Sequence, residues 1–130
     1  MSAAKPIDTR EYPLDHEPIE DWQRVDGSAG ADEENSAAPD EPTTAFAQLG
    51  TITGADYGLW EMSAGDMRDI EGEEVFLVVS GTGRIEFDES DLPPIELSSG
   101  TLVRLEDGMK TRWYVNEAPL RKLFIVPSEG

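Results

Sequence analysis

The 130-residue chain predicts an all-β domain of antiparallel strands, and three observations carry that prediction. Beyond residue 44 it is a succession of short segments rich in β-branched and aromatic residues, separated by clusters of Gly, Pro, Asp, Asn and Ser. The segments recur at about 8 to 12 residues, the spacing of a sandwich or barrel. No run of about ten residues carries the apolar period of a helix, so any helix is expected to be a single turn, near Ile19 to Arg24.

Composition shifts near residue 44, dividing the chain into an acidic N-terminal arm and flexible loop over 1–44 and a single β-barrel domain over 45–130. The stretch Gly27 to Thr44, GSAGADEENSAAPDEPTT, has almost no large apolar side chain, so burial cannot offset the entropy of ordering it. Before it, Ile7, Tyr12, Leu14, Ile19, Trp22 and Val25 are spaced irregularly, as in an arm lying across a β-domain. Trp22 is expected to anchor that arm, on its own subunit or a neighbour.

The expected strands are Phe46 to Ile52, Gly58 to Met62, Glu74 to Ser80, Gly83 to Asp88, Pro94 to Leu97, Thr101 to Leu105, Thr111 to Val115 and Leu120 to Pro127. Ser80-Gly81-Thr82-Gly83 reads as a hairpin turn, because glycine takes positive φ without steric cost. A phosphate loop would need a helix after it, whereas Arg84 to Asp88 alternates like a strand. Ser90 to Pro94 reads as a connection, since its two prolines would disrupt a central ladder.

Length, charge and residue usage narrow the function. The chain holds one core and too little sequence for two. It contains no cysteine, which excludes disulfides, thiolate catalysis and zinc ribbons. No apolar run approaches the roughly 20 residues of a membrane span, and the opening MSAAKPIDTR lacks a signal-peptide core, so cytoplasmic residence is expected. A net charge of -18 speaks against nucleic acid and membrane as partners, because phosphate binding needs a basic surface. The acidity itself reads as solubility or a high-salt cytoplasm before it reads as a recognition surface.

The stretch Gly58 to Gly83 carries the strongest motif. Glu74, six residues and Gly81, with Gly65 upstream, resembles the first metal-site motif of the cupins, but the two positions where that motif carries histidines are Met67 and Asp69. Gly100 to Thr111, GTLVRLEDGMKT, has the spacing of the second cupin motif, with Glu106 for its proline and Thr111 for its histidine. Over residues 45 to 127 the ordered matches Gly58-Leu59-Trp60-Glu61, Ala64-Gly65, Glu74, Gly81, Gly100, Gly108, Trp113 and Arg121-Lys122 are similar to the cupins grouped with ureidoglycine aminohydrolase and the ethanolamine-utilisation Q cupins. The resemblance implies a cupin jelly roll. Of the four family ligands only Glu74 is present outright, with Asp69 a possible oxygen substitute, so neither a histidine-ligated metal nor another cofactor is expected.

Strand alternation then assigns faces. If Glu74 points inward as the family glutamate does, Phe76 and Val78 share its face; if Thr111 stands at the second-motif position, Trp113 and Val115 point in as well. Trp60 and Met62 are expected to line the same cavity, and Lys122 to reach it from the last strand. The candidate ligand pocket is therefore Trp60, Met62, Glu74, Phe76, Val78, Thr111, Trp113 and Lys122, aromatic and apolar with few polar groups. The same apolar residues equally suit the packed core of a small barrel. An inward Glu74 needs a metal, a cation such as Lys122 or Arg112, or a proton. Glu71 and Glu73 read as solvated turn residues, Arg68 and Asp69 as a surface pair, and His16 as an exposed residue without a nucleophile partner.

Three function classes fit these residues. One is a metal-independent cupin that binds a small molecule, such as a ureide, carboxylate or sugar derivative. A second is a cupin enzyme of aminohydrolase or isomerase type using Glu74 as ligand or base. The third is a structural scaffold, and in each class a homodimer is the expected assembly.

Overall fold

The computed structural model describes residues 6–25, 41–88 and 91–128. The expected flexible loop lies, over residues 27–40, outside the described residues, as does Ser90, the first residue of the expected Ser90 to Pro94 connection.

Among the described residues the strands are β1 (Glu17–Pro18), β2 (Thr43–Ile52), β3 (Ala55–Met62), β4 (Gly65–Ile70), β5 (Glu74–Phe87), β6 (Ile95–Leu97), β7 (Leu102–Leu105) and β8 (Lys110–Pro127). All pair antiparallel. One 3-10 turn, Asp21–Gln23, falls within the stretch where a single helical turn is expected.

Two long strands organise the molecule as a jelly roll of two sheets. The C-terminal half of β8 lies between β3 and the N-terminal half of β5, with β2 and β1 beyond β3 and β7 beyond β5. The N-terminal half of β8 lies between β4 and the C-terminal half of β5, with β6 outermost. We refer to these as the first and second sheets.

This arrangement corrects the expectation of a hairpin at Ser80–Gly83. Four separate strands were expected where there are two, because β5 and β8 pass from one sheet to the other without interruption. The ladder slips between Val78 and Gly83 opposite Glu117–Arg121, a run of bulges that turns the corner. Gly81 is required there on two counts: its φ is 86°, and a Cβ on it would lie 2.2 Å from the Pro119 carbonyl oxygen.

Strand β4 was not expected. Its sequence, GDMRDI, turns inward one large apolar side chain, Met67, which is fully buried, and then an acid, Asp69. An inward acid at a strand position disguises the alternation that normally reveals a strand.

The core fills the space between the sheets. Trp113, Phe76, Met62, Met67, Ile85, Leu97, Leu105, Leu120 and Val78 are all essentially inaccessible to solvent. Ile19 of the arm joins this cluster. The arm therefore reaches the interior through Ile19, while the Trp22 side chain is 46% exposed, so the expected anchoring by Trp22 on its own subunit is not what the fold uses.

Candidate functional site in the barrel interior

Register dictates the heart of the site. Trp60 on β3 and Val78 on β5 both face Lys122 on β8, and Phe76 follows on the same face of β5. The Lys122 ammonium lies 2.7 Å from Glu74 Oε2, with the two side chains 6% and 12% exposed. The same Nζ lies 4.6 Å from the Trp60 ring centroid, 4.4 Å from Phe76 and 4.8 Å from Trp113. Trp113 packs against both other rings, at 5.3 and 5.6 Å between centroids. Removing two charges from water is costly. Here the carboxylate supplies the opposite charge and three aromatic faces turn negative potential toward the ammonium.

A second polar group sits beside this cage. Glu71 is 6% exposed, and its Oε2 accepts from the Thr111 hydroxyl at 2.7 Å and from Trp113 Nε1 at 2.9 Å. Glu71 is thus a buried acceptor, correcting its reading as a solvated turn residue. Glu73 does lie at the surface, where it pairs with Arg104 at 2.5 Å and accepts from the Asp107 amide.

Asp69 shares an inward face with Thr111, its register partner. Burial, reinforced by the nearby Glu71 charge, pushes its pKa up to about 6, against the lowering influence of the Ile70 amide, Lys122 and the Gln23 side chain. It is not paired with Arg68, whose guanidinium donates to the Trp22 carbonyl at 2.8 Å. The arm thus touches the mouth of the barrel through Ile19, Trp22 and Gln23.

Of the eight residues in the candidate pocket, Trp60, Glu74, Phe76, Trp113 and Lys122 meet directly. Thr111 joins them by accepting from Trp113 Nε1 at 3.1 Å and through Glu71, and Met62 and Val78 are fully buried in the surrounding core. Sequence reasoning missed Glu71, because a glutamate directly after a strand and next to glycine carries no sign of burial. It also missed the pair Glu61–Arg121 on the outer face of the first sheet. There Arg121 Nε donates to Glu61 Oε1 at 2.8 Å and its Nη1 to the Thr9 carbonyl at 2.8 Å. His16 is exposed as expected, yet it fastens the arm to this pair, with Nε2 2.5 Å from Glu61 Oε2 and Nδ1 2.8 Å from Thr43 Oγ1. A separate groove of about 360 Å³ opens on the second sheet between Asp66, Arg84, Glu96 and Tyr114.

The fold implies a metal centre, and the donors at its positions do not fit one. Glu74 is committed to Lys122, Met67 and Thr111 replace imidazoles, and Asp69 is turned toward Glu71 and the arm. Among the described residues no group of three or more His, Cys, Asp or Glu side chains is placed to hold a metal ion.

A jelly roll whose inward glutamate follows the family spacing defines a small cupin-domain protein. More narrowly, the chain belongs to the EutQ-like cupin domain family, whose profile matches residues 52–124. No curated protein matches the sequence. Among solved structures it is similar to the EutQ protein of Clostridium difficile at 22% identity and a TM-score of 0.54, over 65% of this chain and 61% of that one. It thus spans about three fifths of the length of EutQ. Ectoine synthase from P. lautus gives 15% identity and a TM-score of 0.55, over 63% and 62% of the two chains. A protein of unknown function from Acidithiobacillus ferrooxidans gives 17% and 0.53, over 87% and 89%.

Proposed function

We propose that the protein is a metal-independent cupin that binds a small, neutral, donor-rich molecule at the mouth of its barrel. The observation that carries this reading is the Lys122–Glu74 pair enclosed by Trp60, Phe76 and Trp113, an ammonium standing beside the family's ligand glutamate. Charge selects among the expected ligand classes. Glu71, Glu74 and Asp69 outnumber Lys122, so an entering carboxylate meets an unfavourable field, whereas the N–H and O–H groups of a ureide or sugar derivative meet acceptors. The partly buried faces of Trp60 and Asp69 supply the contact surface.

The test is a calorimetric and thermal-shift screen of ureides, polyols and small carboxylates against the intact protein and an Asp69→Leu variant. Stabilisation by a ureide or polyol that is lost in the variant supports the reading. Silence across all three classes, or preference for carboxylates, counts against it. Elemental analysis of protein purified without chelators, beside Glu74→Gln, tests metal independence directly: near-stoichiometric metal that vanishes in the variant would overturn it.

An enzyme is the second reading, and the displaced pKa of Asp69 favours it. Glu74 is held in an ion pair, so the acid–base group of any reaction here would be Asp69 and not Glu74. Turnover that follows ionisation near pH 6 and disappears in Asp69→Asn would establish this reading. Cytoplasmic residence and the absence of nucleic-acid and membrane partners complete the proposal. The net charge of -18 supports the absence of nucleic-acid and anionic-membrane partners, and no described helix is long and apolar enough to cross a membrane.

A further inference from the structure

The mouth of the barrel is covered by the chain's own arm. Ile19 is buried in the core cluster, and the 3-10 turn Asp21–Gln23 that follows it lies against β4. Three side chains tie the turn down. Arg68 of β4 donates to the Trp22 carbonyl at 2.8 Å, Arg24 donates to the Glu41 carboxylate at 2.9 Å, and the Gln23 side chain donates to the Asp69 carboxylate.

The turn itself orients the last of these contacts. The Gln23 carboxamide oxygen accepts from the Glu20 backbone amide at 2.9 Å, which leaves the N–H2 end of the group for Asp69. Asp69 Oδ1 also accepts from the Ile70 amide at 2.9 Å, so its carboxylate gathers N–H donors from two sides. Such bonds to an ionised acceptor are among the stronger ones a polar site makes.

Polar contacts of this kind can be exchanged for those of a ligand. Trp22, the largest side chain of the turn, is 46% exposed, so lifting it uncovers little apolar surface that is now hidden. The arm before the turn is fastened separately, through the pairing of Glu17 and Pro18 with Thr44 and Thr43 and through His16. Residues 20–24 can therefore swing away from the mouth while β1 keeps its place.

We propose that this turn is a competitor built into the chain: the Gln23 carboxamide holds the place of the ligand's own N–H2 group at Asp69, the ligand carries a primary carboxamide or urea end, and the turn lifts to admit it. This assignment, which rests on the mouth being a ligand site, narrows the ligand from donor-rich molecules in general to one donor group. An amide N–H2 brings donors and no acceptor lone pair toward Asp69 and the neighbouring Glu71, whereas a carboxylate oxygen meets them with like charge. The docked turn also lowers the apparent affinity by the fraction of chains that it keeps closed, so whatever loosens it tightens binding.

The test uses acetamide and methylurea as probes, with glycerol and acetate as controls, on the full chain and on Gln23→Ala and Arg68→Ala. Titration followed by nuclear magnetic resonance reads binding, and hydrogen exchange of peptides spanning residues 17–25 reads the turn. In the intact chain the two probes should raise exchange in residues 20–24 and leave the barrel strands protected. The two variants remove independent contacts of the turn, and each should bind both probes about 10-fold tighter with the barrel's melting transition retained. Probe binding with unchanged exchange in the turn, variants that bind no tighter, or a preference for glycerol would overturn this proposal alone. A preference for acetate, or silence from all three proteins, would overturn the ligand site itself and the proposal with it.

Discussion

Trp113 donates its indole N–H to Glu71 over 2.9 Å, so one wall of the lysine cage is also the clamp on a second buried carboxylate. Cage and clamp are therefore one unit, built from β3, β5 and β8 together with Glu71, the residue that follows β4. Thr111 completes the clamp with its hydroxyl 2.7 Å from the same oxygen.

Glu71→Ala should destabilise the protein by about 1–2 kcal/mol, because it removes the shared acceptor of two buried donors and leaves Trp113 Nε1 only the Thr111 hydroxyl at 3.1 Å and Thr111 only the Asp69 carbonyl at 3.4 Å. Glu71→Gln, which keeps an acceptor oxygen, should cost less. Chemical denaturation gives the stability of both variants, and a change in tryptophan emission would report the loosened indole.

Lys122→Met should be far more damaging than its conserved length suggests. It strands Glu74 among aromatic rings, with an expected cost of about 3–5 kcal/mol. The double variant Lys122→Met/Glu74→Leu should recover much of that loss. A double-mutant cycle measures the coupling, and independent, additive losses would contradict the ion-pair account.

Asp69→Asn should stabilise the protein at neutral pH. The folded-state pKa of about 6 lies above the ordinary 3.8, so the native state holds a proton that the unfolded chain releases. Stability is therefore lost as pH rises through the window from about 3.8 to 6, and the penalty is complete above it. Removing it should add about 1–3 kcal/mol at pH 7 and nothing near pH 3.5, as read by denaturation at the two pH values.

His16→Ala should free the arm without unfolding the barrel. The ring joins Thr43 and Glu61, and its loss should raise protease cleavage between residues 6 and 25 while shifting global stability by less than about 1 kcal/mol. Limited proteolysis followed by mass spectrometry reads the first quantity and thermal melting the second.

Much of the fold was legible because strand alternation and glycine spacing are local. Phe76, Val78 and Trp113 alternate with less buried neighbours, and the alternation assigns their faces once one anchor residue is placed. What escaped the sequence depends on partners far along the chain. Gly81 looks like a turn residue until Pro119 is brought against it, and only then does the corner of a continuous strand appear. Lys122 was legible as one of several possible partners for Glu74; choosing it required the register of β3, β8 and β5. Glu71 and Glu61 look like solvated acids, and their burial follows from Trp113, Arg121 and His16, which lie 42, 60 and 45 residues away.

The tethered ammonium of Lys122 has a consequence for how the site comes into being. A centre built around a dissociable ion is filled according to supply, and its occupancy varies with concentration and with competing chelators. A centre whose positive charge is part of the polypeptide has an occupancy of one per chain from the moment β8 docks. Completion of the barrel and placement of this positive charge are then a single event.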